Sequence, residues 1–426
     1  MLSLAVLAIF LVTMMMGVPI AVAMGFAAAV VIGVADMPLA VLAQRSINAL
    51  DSVPLLAVPM FILAAALFGA SGITQHLFVL IRLVVGRIRG GLGHVTVLAN
   101  LVFSGISGAA LADIGALGGT QIRLMREQGY RDEFAAGITM AAATIGPIFP
   151  PSIPLIIFAA AAEVSAVKVL LAGAIPALVI AAMLMLQIGI MARRQNLPRD
   201  TRRSDDPTLG RAFVKAFPAL LAPVILIGGL VSGLFGPTEV AAITVLYALL
   251  LGLVVYRELT WAKVVAAARE TVHSSASVLF IVASAALFAW VLTIDQVPTM
   301  VSEAMLGLTR NPWLLLVAVN VILLVVGMFM ESIAAILILA PIFTPALAAA
   351  GVDPVHLAVV VVLNLMIGLL TPPVGMSLYM VAQVARMPLQ RVVAGALPFL
   401  WPLLAALAIV TFVPGLSTWL PNLIVQ

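Results

Sequence analysis

Residues 145–176 read IGPIFPPSIPLIIFAAAAEVSAVKVLLAGAIP, and residues 367–398 read IGLLTPPVGMSLYMVAQVARMPLQRVVAGALP. The second stretch lies 222 positions after the first and aligns with no gap. Gly146 falls on Gly368, Pro150 and Pro151 on Pro372 and Pro373, and Gly173 and Pro176 on Gly395 and Pro398. The same offset carries Gly105 onto Gly327 and Gly129 onto Gly351. A duplicated apolar unit, interrupted each time by glycine and a Pro-Pro pair, is the pattern of secondary transporters with paired discontinuous helices. A break inside a bilayer leaves backbone groups that hydrocarbon cannot satisfy, so it must face a cavity, a partner or an ion.

Composition places the repeat in a membrane. Hydrophobic residues make up 64% of the 426 positions and charged residues 9%, with a mean hydropathy of +1.25. That balance excludes a soluble protein. The net charge of +4 is no nucleic-acid signature, because the bases cluster at a few loops where they mark topology. With no cysteine there is no disulfide, thiolate metal site or thiol nucleophile. The first charge is Asp36, and the run before it is too long for a cleavable signal core. It reads as one membrane helix, bent at Gly17-Val18-Pro19.

Four basic groups orient the chain: Arg82 to Arg131, Arg193 to Lys215 (with Arg202 and Arg203), Arg257 to Arg269, and Arg386 with Arg391. Placing all four in the cytoplasm predicts spans near 2–35, 51–72, 134–162, 169–192, 216–235, 237–256, 271–293, 356–383 and 393–421. Between Arg89 and Arg123 lie only 33 residues, whereas two crossings need about 40 apolar residues plus a turn. This segment therefore enters and returns part-way, with its tip at Ser104 to Gly108. The equivalent stretch, roughly 312–350, turns near Gly327; its length alone does not decide, but the repeat predicts a second, oppositely oriented hairpin. Segments 39–50, 73–89, 259–270 and 295–308 mix apolar and charged residues at helical spacing and read as interfacial arms. The stretch 194–209 reads as a solvated linker.

The chemistry follows from missing donors. Pro150 and Pro151 have no N–H to return to the carbonyls of Gly146 and Pro147, and Pro372 and Pro373 likewise free those of Gly368 and Leu369. Exposed carbonyls are hard ligands suited to a small alkali cation, and Ser104 and Ser107 add hydroxyl oxygens. The restarted half-helices aim amide groups and a positive dipole end inward, which suits an anion. A cation site beside an anion site is the minimum for coupled symport.

Three motifs, SGISGAALAD, GPIFPPSIPLIIF and NLMIGLLTPPVG, resemble the large membrane subunit of tripartite ATP-independent periplasmic (TRAP) transporters, and the likeness covers essentially the whole chain. The resemblance implies an elevator-type carrier of the bacterial inner membrane that imports a small organic anion on a sodium gradient. It implies two separate partners, a periplasmic substrate-binding protein and a small four-helix membrane subunit, and no organic cofactor. By resemblance, the first sodium site matches Ser104, Ser107, Gly146, Phe149 and Pro151. The second matches Gly327, Gly368, Thr371 and Val374. Ser152, Asn364, Thr371 and Glu331 are the substrate-side candidates.

Each pick has a plainer reading. Ser104 and Ser107 could bond only their own turn, Asp113 could cap the returning hairpin helix, and Glu331 could sit in water at its turn. His76, His94, His273 and His356 are scattered and make no metal cluster. A stand-alone sodium/dicarboxylate symporter would share hairpins and breaks but need no binding protein. An intramembrane enzyme would need more than Asp113 acting alone, and a scaffold explains no interrupted helix. The expected fold is an all-α polytopic membrane protein: an inverted repeat with two re-entrant hairpins and two broken spans. Residues 92–162 and 312–383 form its moving core, and 1–91, 163–311 and 384–426 its frame.

Overall fold

The computed structural model describes residues 2–200 and 206–425, and no β-strand occurs among them. The chain opens with α1 (Leu2–Met15), α2 (Ile20–Val34), α3 (Ala40–Leu50), α4 (Val53–Ala70) and α5 (Ile73–Val85). A hairpin follows: α6 (Gly91–Ser107), then a return limb made of α7 (Ala110–Asp113), a π-turn over Ile114–Gly118, and α8 (Gly119–Glu127). Next come α9 (Asp132–Ala143), α10 (Ile153–Ala161), α11 (Ala166–Ala172) and α12 (Ala174–Arg194). The second half holds α13 (Leu209–Val231), α14 (Pro237–Leu250) with a π-turn over Leu251–Val255, α15 (Trp261–Ile294) and α16 (Val297–Leu308). Its hairpin is α17 (Pro312–Phe329) and α18 (Ser332–Ala349), followed by α19 (Pro354–Gly368), α20 (Met376–Ala385), α21 (Leu389–Phe412) and α22 (Gly415–Ile424).

The repeat seen in the sequence is a repeat in structure. The same offset lays α6 on α17, the α7–α8 limb on α18, α9 on α19, α10 on α20, and α11–α12 on α21. Both return limbs end identically. Tyr130 N–H bonds the Met125 carbonyl at 3.0 Å, and Val352 N–H bonds that of Leu347 at 2.9 Å. Between them Gly129 and Gly351 adopt φ of +81° and +87°, the left-handed position this helix ending requires. The Pro150–Pro151 and Pro372–Pro373 peptide bonds are both cis.

Four expectations need correction. The run 2–35 is two helices folded back on each other. Gly17 turns at φ +83° and Pro19 cannot continue the first helix. Consequently Ser3 donates to Asp295 through N–H and hydroxyl (2.8 and 2.7 Å), and Phe10 stacks edge-on against Phe288 at 5.2 Å. That pairing sets α1 antiparallel to α15. Conversely, the arm 259–270 and the span 271–293 are one 34-residue helix, α15, about 51 Å long. The first half breaks this element at Asp51-Ser52-Val53-Pro54, where the second half carries His273-Ser274-Ser275-Ala276, none of which ends a helix. The span 393–421 stops at Val413–Pro414 and resumes as α22. Finally, the linker is no solvated strap throughout. Pro198 accepts bonds from Gly90 N–H (3.0 Å) and Tyr130 hydroxyl (2.9 Å), and Asp200 and Asp206 both pair with Arg82. Arg202 and Arg203 lie outside the described residues.

Among the described residues, eight helices are long and apolar enough to cross a bilayer: α4, the α11–α12 pair, α13, α14 with its π-turn, α15, α17, α18 and α21. Among the predicted spans, 2–35, 134–162 and 356–383 are absent from that set because each is interrupted.

Candidate functional site

Both predicted breaks are present. α9 stops at Ala143 and α10 starts at Ile153; α19 stops at Gly368 and α20 starts at Met376. The tip of each hairpin lies against the break of its own half. In the first half α6 continues through Ser107, so the turn is Gly108–Ala109 rather than the predicted Ser104–Gly108. Gly108 has φ +64° and its carbonyl accepts from Ile153 N–H at 3.4 Å. A Cβ there would lie 2.3 Å from the Pro151 carbonyl oxygen. In the second half the turn falls at Met330–Glu331, three residues beyond the predicted Gly327, and Gly375 N–H bonds the Met328 carbonyl at 3.0 Å. Gly105 and Gly327 serve close approach instead of turning. A Cβ on Gly105 would meet Pro223 at 2.7 Å and Phe149 at 3.4 Å, and one on Gly327 would meet Gly368 Cα at 3.2 Å.

Three of the four carbonyls expected to be free have donors. Ser152 caps α10, accepting from Leu155 N–H at 3.1 Å, and gives its own proton to the Pro147 carbonyl. The Gly368 carbonyl takes Thr371 N–H at 3.0 Å, as the last turn tightens, and the Leu369 carbonyl takes Ser377 N–H at 3.1 Å. Only the Gly146 carbonyl keeps no donor among the described residues. The carbonyls of Phe149, Pro151, Gly327, Thr371 and Val374 are likewise without one. Proline removes the donor at i+4, but chain tightening and a capping serine supply others.

The three hydroxyls at the hairpin tip and the breaks already have acceptors for their hydrogens. Ser104 donates to the Asn100 carbonyl at 2.5 Å, Ser107 to Asp113, and Thr371 to the Ile367 carbonyl at 2.8 Å. With the hydrogen spent on an acceptor, the remaining lone pairs of each hydroxyl can face a positive ion. The two breaks differ in access. Residues 145–152 are buried apart from half-buried Phe149, whereas Thr371, Pro372 and Val374 are half-buried and Pro373 is exposed.

Other candidates occupy definite places. Glu331 caps α18, accepting from Ile333 and Ala334 N–H at 2.9 and 3.1 Å. Asp113, expected as a possible cap, makes no capping bond and receives the Ser107 hydroxyl. Asn364 is fully buried, and its Nδ2 donates to the backbone carbonyl and the Oδ1 of Asn320 on α17 (3.0 and 2.7 Å); Asn320 in turn donates to Thr411 of α21 at 3.0 Å. Asn320 was legible as the lone amide in the apolar run 312–329. Gln121 and Thr139, each 1% exposed with unpartnered polar atoms, carried no spacing signal. No cluster of three potential metal-ligating His or acidic residues occurs among the described residues.

The restarted helices cross between halves. α20 packs on the return limb of the first hairpin, where Met380 and Val384 meet Gly115 and Gly118, while α10 packs on α18 and α19. Two interrupted helices, each met by the tip of its own hairpin within a duplicated bundle, are the pattern of membrane transport proteins. The family model of the tripartite ATP-independent periplasmic transporter, DctM component, matches residues 7–416. The chain is 43% identical over 384 residues to the sialic acid TRAP transporter large permease protein SiaM of Vibrio cholerae, covering 89% of each. It is 42% identical over 368 residues to the C4-dicarboxylate TRAP transporter large permease protein DctM of Pseudomonas aeruginosa, covering 86% of each. The solved structure of the Alcanivorax borkumensis YdaH transporter shares the fold (TM-score 0.66, 18% identity, 89% of this chain and 88% of that one). The chain belongs to the DctM family of TRAP large permeases, multi-pass transport proteins of the inner membrane and not enzymes.

Proposed function

We propose that this permease imports a carboxylate-bearing solute by sodium symport through an elevator motion. A periplasmic binding protein delivers the solute, and a small four-helix membrane subunit on a separate chain stands beside the permease. The observation that carries the reading is the paired arrangement of break and hairpin tip. Each break offers donor-free carbonyls, and each has a hydroxyl, Ser107 or Thr371, whose hydrogen is already given to another acceptor. Sodium at both breaks would draw on Ser104, Ser107, Gly146, Phe149 and Pro151, and on Gly327, Gly368, Thr371 and Val374. The solute would meet the half-exposed second break at Thr371, with Ser152, Asn364 and Glu331 shaping the backbone around it. The relatives' substrates, sialic acid and C4-dicarboxylates, share a carboxylate and favour an organic anion here.

The moving unit contains both hairpins, entering from opposite faces, and both broken helices. Packing supports widening it beyond 92–162 and 312–383. A Cβ on Gly137 of α9 would lie 1.9 Å from the Gly395 carbonyl oxygen of α21, and one on Gly173 would lie 1.9 Å from that of Ile148. A sliding boundary through such close backbone contacts would sever dense packing, so α11–α12 and α21–α22 travel with the core.

The test is uptake into vesicles holding this chain and its small subunit, with the binding protein outside. A sodium gradient should drive uptake, and Ser104→Ala or Thr371→Ala should abolish it at unchanged expression. Normal uptake by both variants, or uptake indifferent to sodium, would refute the reading. Full uptake without binding protein would indicate a stand-alone symporter.

A further inference from the structure

Asp113 is a carboxylate with nothing to balance it. It is 1% exposed, and its Oδ1 accepts the Ser107 hydroxyl while Oδ2 has no hydrogen-bond partner. No Lys, Arg or His forms an ion pair with it among the described residues. The helices packed against α7 and the π-turn that follows it are α6, α8, α9 and α20. On α8 the bases Arg123 and Arg126 are exposed, and Arg126 is bound to Asp132 and to the Ala385 carbonyl. Burying a lone carboxylate is costly unless it takes up a proton or a positive partner comes to it, and within a membrane such a residue marks a site by default.

Its orientation says where the partner sits. A Cβ on Gly146 would lie 2.6 Å from Asp113 Oδ2. The unpartnered oxygen is therefore aimed at the first break, through the one residue there with no side chain to block it. The carbonyl of that same residue, Gly146, keeps no donor among the described residues. The second half has no equivalent. Asp113 is matched by Ala335 and Ser107 by Phe329, and the only nearby carboxylate, Glu331, is spent capping α18.

We propose that Asp113 is an anionic ligand of the cation held at the first break, binding through Oδ2. This inference rests on that break being a sodium site. The two sites are then unequal: the first neutralises the ion's charge, and the second holds it with neutral oxygens alone. Sodium fills the first site at lower concentration and leaves it last.

The experiment is equilibrium binding of radioactive sodium to the purified permease in lipid nanodiscs, with choline chloride fixing ionic strength. Wild type should show two components. Asp113→Asn should weaken the tighter one by roughly tenfold or more and leave the weaker one in place, while Thr371→Ala should do the reverse. Wild type binding no sodium would overturn the sodium reading itself. Wild-type binding with an unchanged tight component in Asp113→Asn would overturn this inference alone. Should Asp113→Asn fail to fold, Asp113→Glu decides: it keeps the charge on a longer arm and should change the sodium-to-lithium preference at the tight component. An unchanged preference would count against the ligand role.

Discussion

Replacing Gly368 with alanine tests how the second break is held against its hairpin. An added Cβ would lie 2.6 Å from both the carbonyl carbon and Cα of Gly327, and 2.9 Å from its carbonyl oxygen. Ordinary carbon contact is about 3.5 Å, so α17 and α19 must part by about 0.9 Å. The atoms met are backbone and cannot rotate away. The reciprocal change is gentler: a Cβ on Gly327 would meet Gly368 Cα at 3.2 Å and Leu365 at 3.4 Å, asking for about 0.3 Å. Overpacking of the first kind costs about 1–3 kcal/mol. In Gly327→Ala the smaller clash is offset by the roughly 1 kcal/mol that alanine gains over glycine in a helix. One kcal/mol corresponds to about 2–4 °C in a chain of 150–250 residues and to less in a longer one. Gly368→Ala should therefore lower the unfolding temperature in detergent by a few degrees, with Gly327→Ala near wild type. Sodium-driven uptake should fall in the same order, because Gly327, Gly368 and Thr371 separate together. Equal effects from the two, or a larger one from Gly327→Ala, would show that the close approach is not what positions this break.

Three further outcomes follow from particular contacts. Gly129→Ala and Gly351→Ala, at matching left-handed positions with φ of +81° and +87° and open space around the added carbon, should each cost about 1–2 kcal/mol, read as similar drops in unfolding temperature. Arg82→Ala removes the guanidinium that pairs with Asp200 and Asp206, whose side chains are 7% and 6% exposed, and leaves Asp200 the Gln128 amide. The loss should be about 1–3 kcal/mol, and limited proteolysis should cut the linker between the halves faster than in wild type. Glu331→Ala removes the cap of α18 and should cost about 1 kcal/mol, read as a lower unfolding temperature, and should weaken apparent affinity for solute because the backbone it holds borders the second break; an unchanged affinity would separate Glu331 from the substrate site.

The duplication, both interrupted helices and their positions were set by local chemistry, and so could be read from residues alone. A proline lacks its N–H wherever it sits, and glycines repeated at one offset mark one backbone path used twice. Span boundaries were less legible. The hydropathy of 2–35 is continuous, and only the antiparallel pairing of Ser3 with Asp295 and Phe10 with Phe288 shows that the chain doubles back. Helix continuity across 261–294 was hidden because charged and apolar segments look separate until no residue is found to stop them. At the site, loss of a donor could be inferred from proline, but not its replacement. Ser152, Thr371 and Ser377 reach the freed carbonyls through turns that spacing does not specify. The sequence by itself determined where the backbone must open, since that is a covalent property of proline. Only the tertiary structure decided which oxygens remain for an ion, because that depends on donors brought in from elsewhere in the chain. Asp113 shows the difference: its charge is written in the sequence, but its direction toward Gly146 arises from packing between the hairpin and the broken helix.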